Sequence, residues 1–169
     1  MTTLVWPSEA ISTTALDTLA GPGGPFELRE EEVLGARMLV FANLLAHGLF
    51  RRFPNLRMAS IETGSDWVFH LFEKLNKSYS QTPYAYPEDP RETFRRHVWV
   101  SPYYEDDLAG LREIVGADHM LMGSDYPHAE GLADPSTYIK DLENFGFTPE
   151  DSRLVMRDNG LELSQRRPA

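Results

Sequence analysis

The chain has 169 residues and a mass of 19.2 kDa, with 41% hydrophobic and 25% charged residues, enough for one domain with a buried core and no sign of wholesale disorder. A formal net charge of −10 and a pI near 4.9 exclude nucleic acid and anionic membranes as partners, since phosphate binding needs clustered Lys and Arg, and the basic clusters here are short pairs such as Arg51-Arg52. The lack of cysteine excludes disulfides, zinc-thiolate sites and a cysteine nucleophile.

The first residues lack a basic and then apolar leader, and no run approaches the roughly 20 apolar residues of a membrane span, so the sequence reads as that of a cytoplasmic protein. Residues 1–27, rich in Thr, Ser, Gly and Pro, read as a flexible lead-in, with a short helix around Ile11 to Leu19. From Leu28 to about Arg52 the apolar positions Leu34, Met38, Phe41, Leu45 and Leu49 recur at steps of three and four, which predicts an amphipathic helix with Glu30, Glu31 and Glu32 in its first turn. His47 near its end is read as a partner of the helix dipole.

Phe53-Pro54-Asn55 ends that helix, Leu56 to Ile61 predicts a strand leading to Glu62, and Trp67 to Ser80 predicts a helix capped by Ser65 or Asp66, with His70 inside it. Three prolines make residues 81–92 a loop. His97 to Pro102 reads as the next strand, Glu105 to Val115 as a helix stopped by Gly116, and Met120 to Gly123 as a third strand. Helices are expected from Pro135 to Asn144, with Ile139 and Leu142 inward, and from Thr148-Pro149-Glu150-Asp151 onward, with Leu154, Val155 and Leu161 as its apolar positions. Strands alternating with helices predict βαβ units and a parallel sheet. In such a sheet Glu62, Ser101 to Tyr104 and Asp125 gather at one end, while His97 and His119 begin their strands at the other. The acidic runs Glu30–Glu32 and Glu105–Asp107 are read as solvated helix starts.

The chemistry concentrates in His119 to Gly131, HMLMGSDYPHAEG, where Asp125, His128 and Glu130 cluster just past a buried strand. Loops leaving the carboxyl ends of parallel strands converge on one face, which is where such sheets place catalysis. An Asp that merely ends a strand and starts a turn is the alternative. A metal-free acid/base pair of Glu62 and Asp125, of the glycosidase kind, is a further reading.

Three blocks, HGLFRRFPNLRMASIETGSDWV (47–68), RRHVWVSPYYEDDL (95–108) and HMLMGSDYPHAEG (119–131), resemble the C-terminal half of the amidohydrolase-2 family of metal-dependent (β/α)8-barrel enzymes, which includes aminocarboxymuconate-semialdehyde decarboxylase. The resemblance implies a half barrel of about three parallel strands over residues 28–165, with 166–169 as a tail. It implies a metal-dependent hydrolase or carboxy-lyase acting on a small organic substrate, aromatic or carboxylate in type. Asp125 would be the metal ligand and proton handler, Glu62 a catalytic residue, and His128 and Glu130 would lie beside the substrate. The implied cofactor is a divalent metal, zinc first, with manganese or iron as alternatives. The family's first-strand His-x-His has no counterpart, because the first histidine is His47, and such a barrel takes roughly 250 residues. The sequence therefore predicts either a chain completed by a partner, a second copy or a separate N-terminal half, or a non-catalytic remnant serving as an interaction or oligomerising module.

Overall fold

The computed structural model describes residues 4–7, 30–125 and 131–165, and of 4–7 and 30–34 the backbone alone. The helix expected around Ile11 to Leu19, and His128 and Glu130, lie outside the described residues.

Three parallel strands form one sheet in the order β1 (Leu4–Pro7), β2 (Met58–Ile61) and β3 (Val98–Val100). Val5 is in register with Ala59, and Ala59 with Trp99. Strand β1 falls within the stretch read as a lead-in; four residues, one of them proline, are too short to show a strand period. The expected strand at Met120 reduces to a single parallel bridge between Met120 and Val100.

The reason lies in where the backbone groups of that segment go. Leu121 donates its N–H to the Val100 carbonyl at 2.8 Å, as a parallel neighbour should. Met122 instead donates to the Val155 carbonyl at 3.1 Å, and the Asn159 amide donates to the carbonyls of Met120 and Ala117 at 2.7 and 2.8 Å. These partners belong to the C-terminal helical stretch, α7 (Pro149–Arg153), a π-helical turn (Leu154–Asp158) and α8 (Asn159–Ser164). A π-turn shifts carbonyls out of the i→i+4 ladder, which leaves Val155 able to accept from the sheet. The edge of the sheet on this side is thus occupied by the chain's own helix.

Helices α1 (Glu30–Ala46), α3 (Asp66–Gln81), α4 (Pro90–His97) and α5 (Leu108–Val115) pack on one face of the sheet. The long helix expected up to Arg52 breaks at Gly48, whose φ of 64° is left-handed, and resumes as the short α2 (Leu49–Arg52). Phe41 stacks on Trp67 at 4.7 Å, and Phe94 meets Phe72 edge-on at 5.3 Å, so the core under the sheet is aromatic. Met58, Val98 and Val100 point into it. On the opposite face Ala59, Trp99 and Leu121 are buried with Leu163 of α8. Arg57, just before β2, is 3% exposed and donates to the Glu162 and Gln165 carbonyls, where the helix dipole favours a cation.

Helix α4 replaces part of the expected loop. Asp89 caps it by accepting from the Arg91 N–H, and Pro90 occupies its first turn, where a missing N–H costs nothing. Near the C-terminus, α6 (Tyr138–Asn144) follows a short 3₁₀ turn and buries Tyr138 and Leu142, whereas Ile139, expected inward, is 40% exposed. Leu161, an apolar position of the last helix, is exposed, and Leu163 is buried. Thr148 and Asp151 close a reciprocal capping box on α7, as its sequence signature requires. Among the described residues no helix is long and apolar enough to cross a membrane.

Candidate active site

Parallel pairing puts the carboxyl ends of the strands on one side, and the strand-end residues there line a hollow of about 190 Å³. Its wall comprises Ile61 at the end of β2 and Glu62 after it, Ser101, Pro102 and Tyr103 after β3, and Gly123, Ser124 and Asp125 after the Met120 bridge. The structure therefore brings Glu62 and Asp125 to one cavity. A second hollow of about 190 Å³ shares Tyr103, Gly123, Ser124 and Asp125 and adds Tyr104, Glu105 and Gly131.

Both carboxylate residues have unusual backbones. Glu62 at φ 56° and Asp125 at φ 54° are the non-glycine residues of the described chain with positive φ. Each such conformation costs about 1–3 kcal/mol and persists where the surroundings over-determine it. Asp tolerates the left-handed region through its short side chain; Glu has no such help.

The surroundings of Glu62 are correspondingly dense. Its carbonyl accepts from the Tyr103 phenol at 3.0 Å, and the next carbonyl, of Thr63, accepts from Arg37 on α1 at 2.8 Å. The Thr63 and Ser60 hydroxyls are 2.5 Å apart and buried. Gly64 is left-handed at φ 60° and lies under the Tyr103 ring, so that an added Cβ would sit 2.9 Å from it. Its carbonyl accepts from the Trp67 indole at 3.0 Å.

Ser65, which with Asp66 is one of the two expected caps of α3, occupies the N-cap position without a capping bond from its side chain. Its hydroxyl and N–H donate to the Asp106 carboxylate at 2.8 and 2.7 Å instead. Asp106 also accepts the Tyr103 N–H at 3.0 Å. Within the acidic run read as a solvated helix start, Asp107 caps α5 through the Gly110 N–H, while Asp106 ties the loop after β2 to the loop after β3. Partial burial raises the Tyr103 phenol above its ordinary range, with Asp125, Asp106 and Glu62 adding to the effect and Arg37 opposing it, so it remains a protonated donor at neutral pH.

Around Asp125 the fit is steric. An added Cβ on Gly131 would lie 2.7 Å from the Ser124 and Asp125 carbonyl oxygens, and Leu132 donates to the Ser124 carbonyl at 2.8 Å. Gly131 and Leu132 therefore lie directly against Ser124 and Asp125. A Cβ on Gly123 would come within 2.8 Å of the Ser101 hydroxyl oxygen and intrude on the hollow.

The histidines divide as strand direction requires. His97 and His119 line a cavity of about 720 Å³ at the amino ends of the strands. His70 is exposed on α3 near Glu73, and His47 follows the end of α1 on the surface. A catalytic zinc-type centre takes three protein ligands plus an open position. Among the described residues no group of three His, Asp or Glu is placed to hold a metal ion, and no described histidine joins Glu62 and Asp125 in the lining of the hollow. Among the described residues, two carboxylates fall short of such a ligand set.

The sequence places Glu62, Asp125 and the Ser101 to Tyr104 segment at one end of the sheet, as observed, and does not show the hydrogen bonds of Tyr103, Asp106 and Ser65. Their bonds join residues 41 apart in sequence, which no local pattern reports.

Comparison with known proteins agrees with this geometry. The amidohydrolase family model Amidohydro_2 matches residues 32–163. A 2-amino-3-carboxymuconate-6-semialdehyde decarboxylase of Dictyostelium discoideum is 25% identical over 131 residues, covering 74% of this chain and 35% of that protein. The crystal structure of an amidohydrolase from Mycobacterium avium subsp. paratuberculosis K-10 matches with 45% identity and a TM-score of 0.72, over 77% of this chain and 33% of the other. A dihydroxybenzoic acid decarboxylase from Polaromonas sp. JS666, solved with manganese and the inhibitor 2-nitroresorcinol, matches with 20% identity and a TM-score of 0.50, over 94% of this chain and 46% of the other, a likeness of fold. The chain spans about a third of the length of the first two of these relatives. Because the family match runs through both strand-end carboxylates and across most of the sequence, the chain belongs to the amidohydrolase family, its parallel α/β sheet forming part of a (β/α) barrel.

Proposed function

We propose that the hollow at the carboxyl ends of the strands is the reaction site of a metal-dependent hydrolase or carboxy-lyase acting on a small organic substrate, aromatic or carboxylate in type. One observation carries the reading: Glu62 and Asp125, each in a costly left-handed conformation, line the same cavity at the end of a parallel sheet. Strain of that kind concentrates at functional sites. In this reading Asp125 is a ligand of a divalent metal, zinc, manganese or iron, and Glu62 is an acid/base group beside the substrate. His128 and Glu130, which follow Asp125 closely in the sequence, contact the substrate in the same reading. The relatives named as decarboxylases and the manganese of the Polaromonas enzyme support it.

The remaining ligands come from outside the described residues, and a partner, either a second copy or a separate N-terminal half, is the proposed source. The site is cytoplasmic in this reading, consistent with a chain that has no cysteine to lose to oxidation. Metal analysis of the purified protein after incubation with zinc, manganese or iron tests it. Near-stoichiometric metal, lost in Asp125→Ala, is the expected result. Protein that takes up none of the three refutes the metal-dependent reading for this chain and leaves an interaction or oligomerising module, which the incomplete ligand set favours.

A further inference from the structure

We propose that Tyr103 and Asp106 are positioning residues, a brace that holds Glu62 in its left-handed turn and so keeps its carboxylate on the cavity shared with Asp125. The proposal rests on the reading of that cavity as the reaction site.

A left-handed glutamate needs its turn fixed from outside, because neither its Cβ nor its long side chain favours that conformation. The segment Glu62–Ser65 is held from four elements. Ser60 precedes it, Arg37 reaches it from α1, Trp67 holds it from α3, and Tyr103 with Asp106 holds it from the loop after β3. Three features set the last of these apart. The Tyr103 phenol bonds to the carbonyl of Glu62 itself, the residue that bears the strain. Its ring lies over Gly64, leaving no room for a Cβ there, so the turn is held by contact as well as by hydrogen bonding. Asp106 then fixes both ends of the brace at once, accepting from the Tyr103 N–H and from two donors of Ser65.

The consequence is that the loops after β2 and β3 behave as one body. Tyr103 also lines both hollows, so the group that sets Glu62 borders the space a substrate would occupy. A residue serving stability alone would lower the unfolding midpoint when changed and leave the turn at Glu62 intact. A positioning residue changes the turn in the folded protein.

NMR of the labelled full chain distinguishes the two. A positive φ gives a strong intraresidue amide-to-Hα Overhauser signal, expected at Glu62 and Asp125 of the unaltered protein. In Tyr103→Phe, which keeps the ring over Gly64, and in Asp106→Asn, the Glu62 signal weakens while that of Asp125 stays. The Glu62 carboxylate, held on the hollow it shares with Asp125, adds its negative charge beside a cation there, so manganese affinity, read by water proton relaxation with Mn2+ alone as the probe, falls about tenfold in Tyr103→Phe, and no further when Tyr103→Phe is added to Glu62→Gln. An unchanged Glu62 signal in both variants overturns the brace, as does an additive loss of Mn2+ affinity in the double variant. If the unaltered chain binds no Mn2+, the reading of the site fails, and the Overhauser signals still decide for or against the brace.

Discussion

The two ends of the parallel sheet solve opposite problems. At the amino end lies the larger cavity, about 720 Å³ against about 190 Å³ at the carboxyl end, and the titratable groups beside it are at rest. His97 stacks on Phe50 at 4.6 Å with its Nδ1 on the Leu56 carbonyl, and His119 lies 4.4 Å from the Trp99 ring with its Nδ1 3.3 Å from an Asp118 carboxylate oxygen. The Trp99 indole donates to the Asp118 carbonyl. At the carboxyl end Glu62 and Asp125 both sit in strained turns, and that of Glu62 is held by a hydroxyl, a guanidinium, a phenol and a carboxylate. Cavity size points one way and stored strain the other. Strain is the better guide, because it persists only where the surroundings hold it, whereas a cavity can be left wherever rings stack without filling a corner.

The sharpest test of the amino end is Trp99→Ala. Trp99 is 3% exposed and is buried with Ala59, Leu121 and Leu163 on the face of the sheet opposite the aromatic core, so its loss should lower stability by about 3–5 kcal/mol in urea unfolding. A loss below about 1 kcal/mol would mean that the amino end is not the structural end. Glu62→Gly should do the reverse at the carboxyl end: it removes a carboxylate and relieves a positive φ, raising stability by about 1 kcal/mol on the same urea scale while weakening metal uptake. Destabilisation instead would show that the glutamate side chain holds the turn.

The smallest effect is one of pH. Burial lowers the His97 pKa, with Arg96 and His119 adding to the effect while the bond to Leu56 and the charge of Glu88 oppose it. Since the folded value lies below the ordinary 6.5, the unfolded chain binds the proton first. Stability is therefore full above pH 6.5, declines as pH falls below it, and levels off once the folded value is passed. His97→Gln should flatten that slope in unfolding curves taken at successive pH values; an unchanged slope assigns it to another group.

Much of this was legible in the sequence for a reason that also sets the limit. Strand direction follows from the alternation of elements, and direction alone puts Glu62, Ser101–Tyr104 and Asp125 together and sends His97 and His119 to the far end. Local patterns failed where the deciding contact was distant. The Met120 segment has a strand's apolar run, yet its outward backbone groups go to Val155 and Asn159. Asp106 looks like its neighbours in an acidic run, and Ser65 looks like an ordinary cap, until the fold brings them within 2.8 Å. Helix α4 is a different failure: Asp89-Pro90 is a sound start signal, hidden among prolines that argue for a loop.

The π-turn at Leu154–Asp158 has one more effect, on association between molecules. A strand edge with idle N–H and C=O groups is a template for adding a foreign strand, and hence for aggregation. By widening one helical turn, the chain brings the Val155 carbonyl and the Asn159 amide onto the groups of Met120 and Met122 that face away from β3. One irregular turn of helix thus works as a stopper on that edge, and a single-residue deletion restoring regular α-helix there would unmask it.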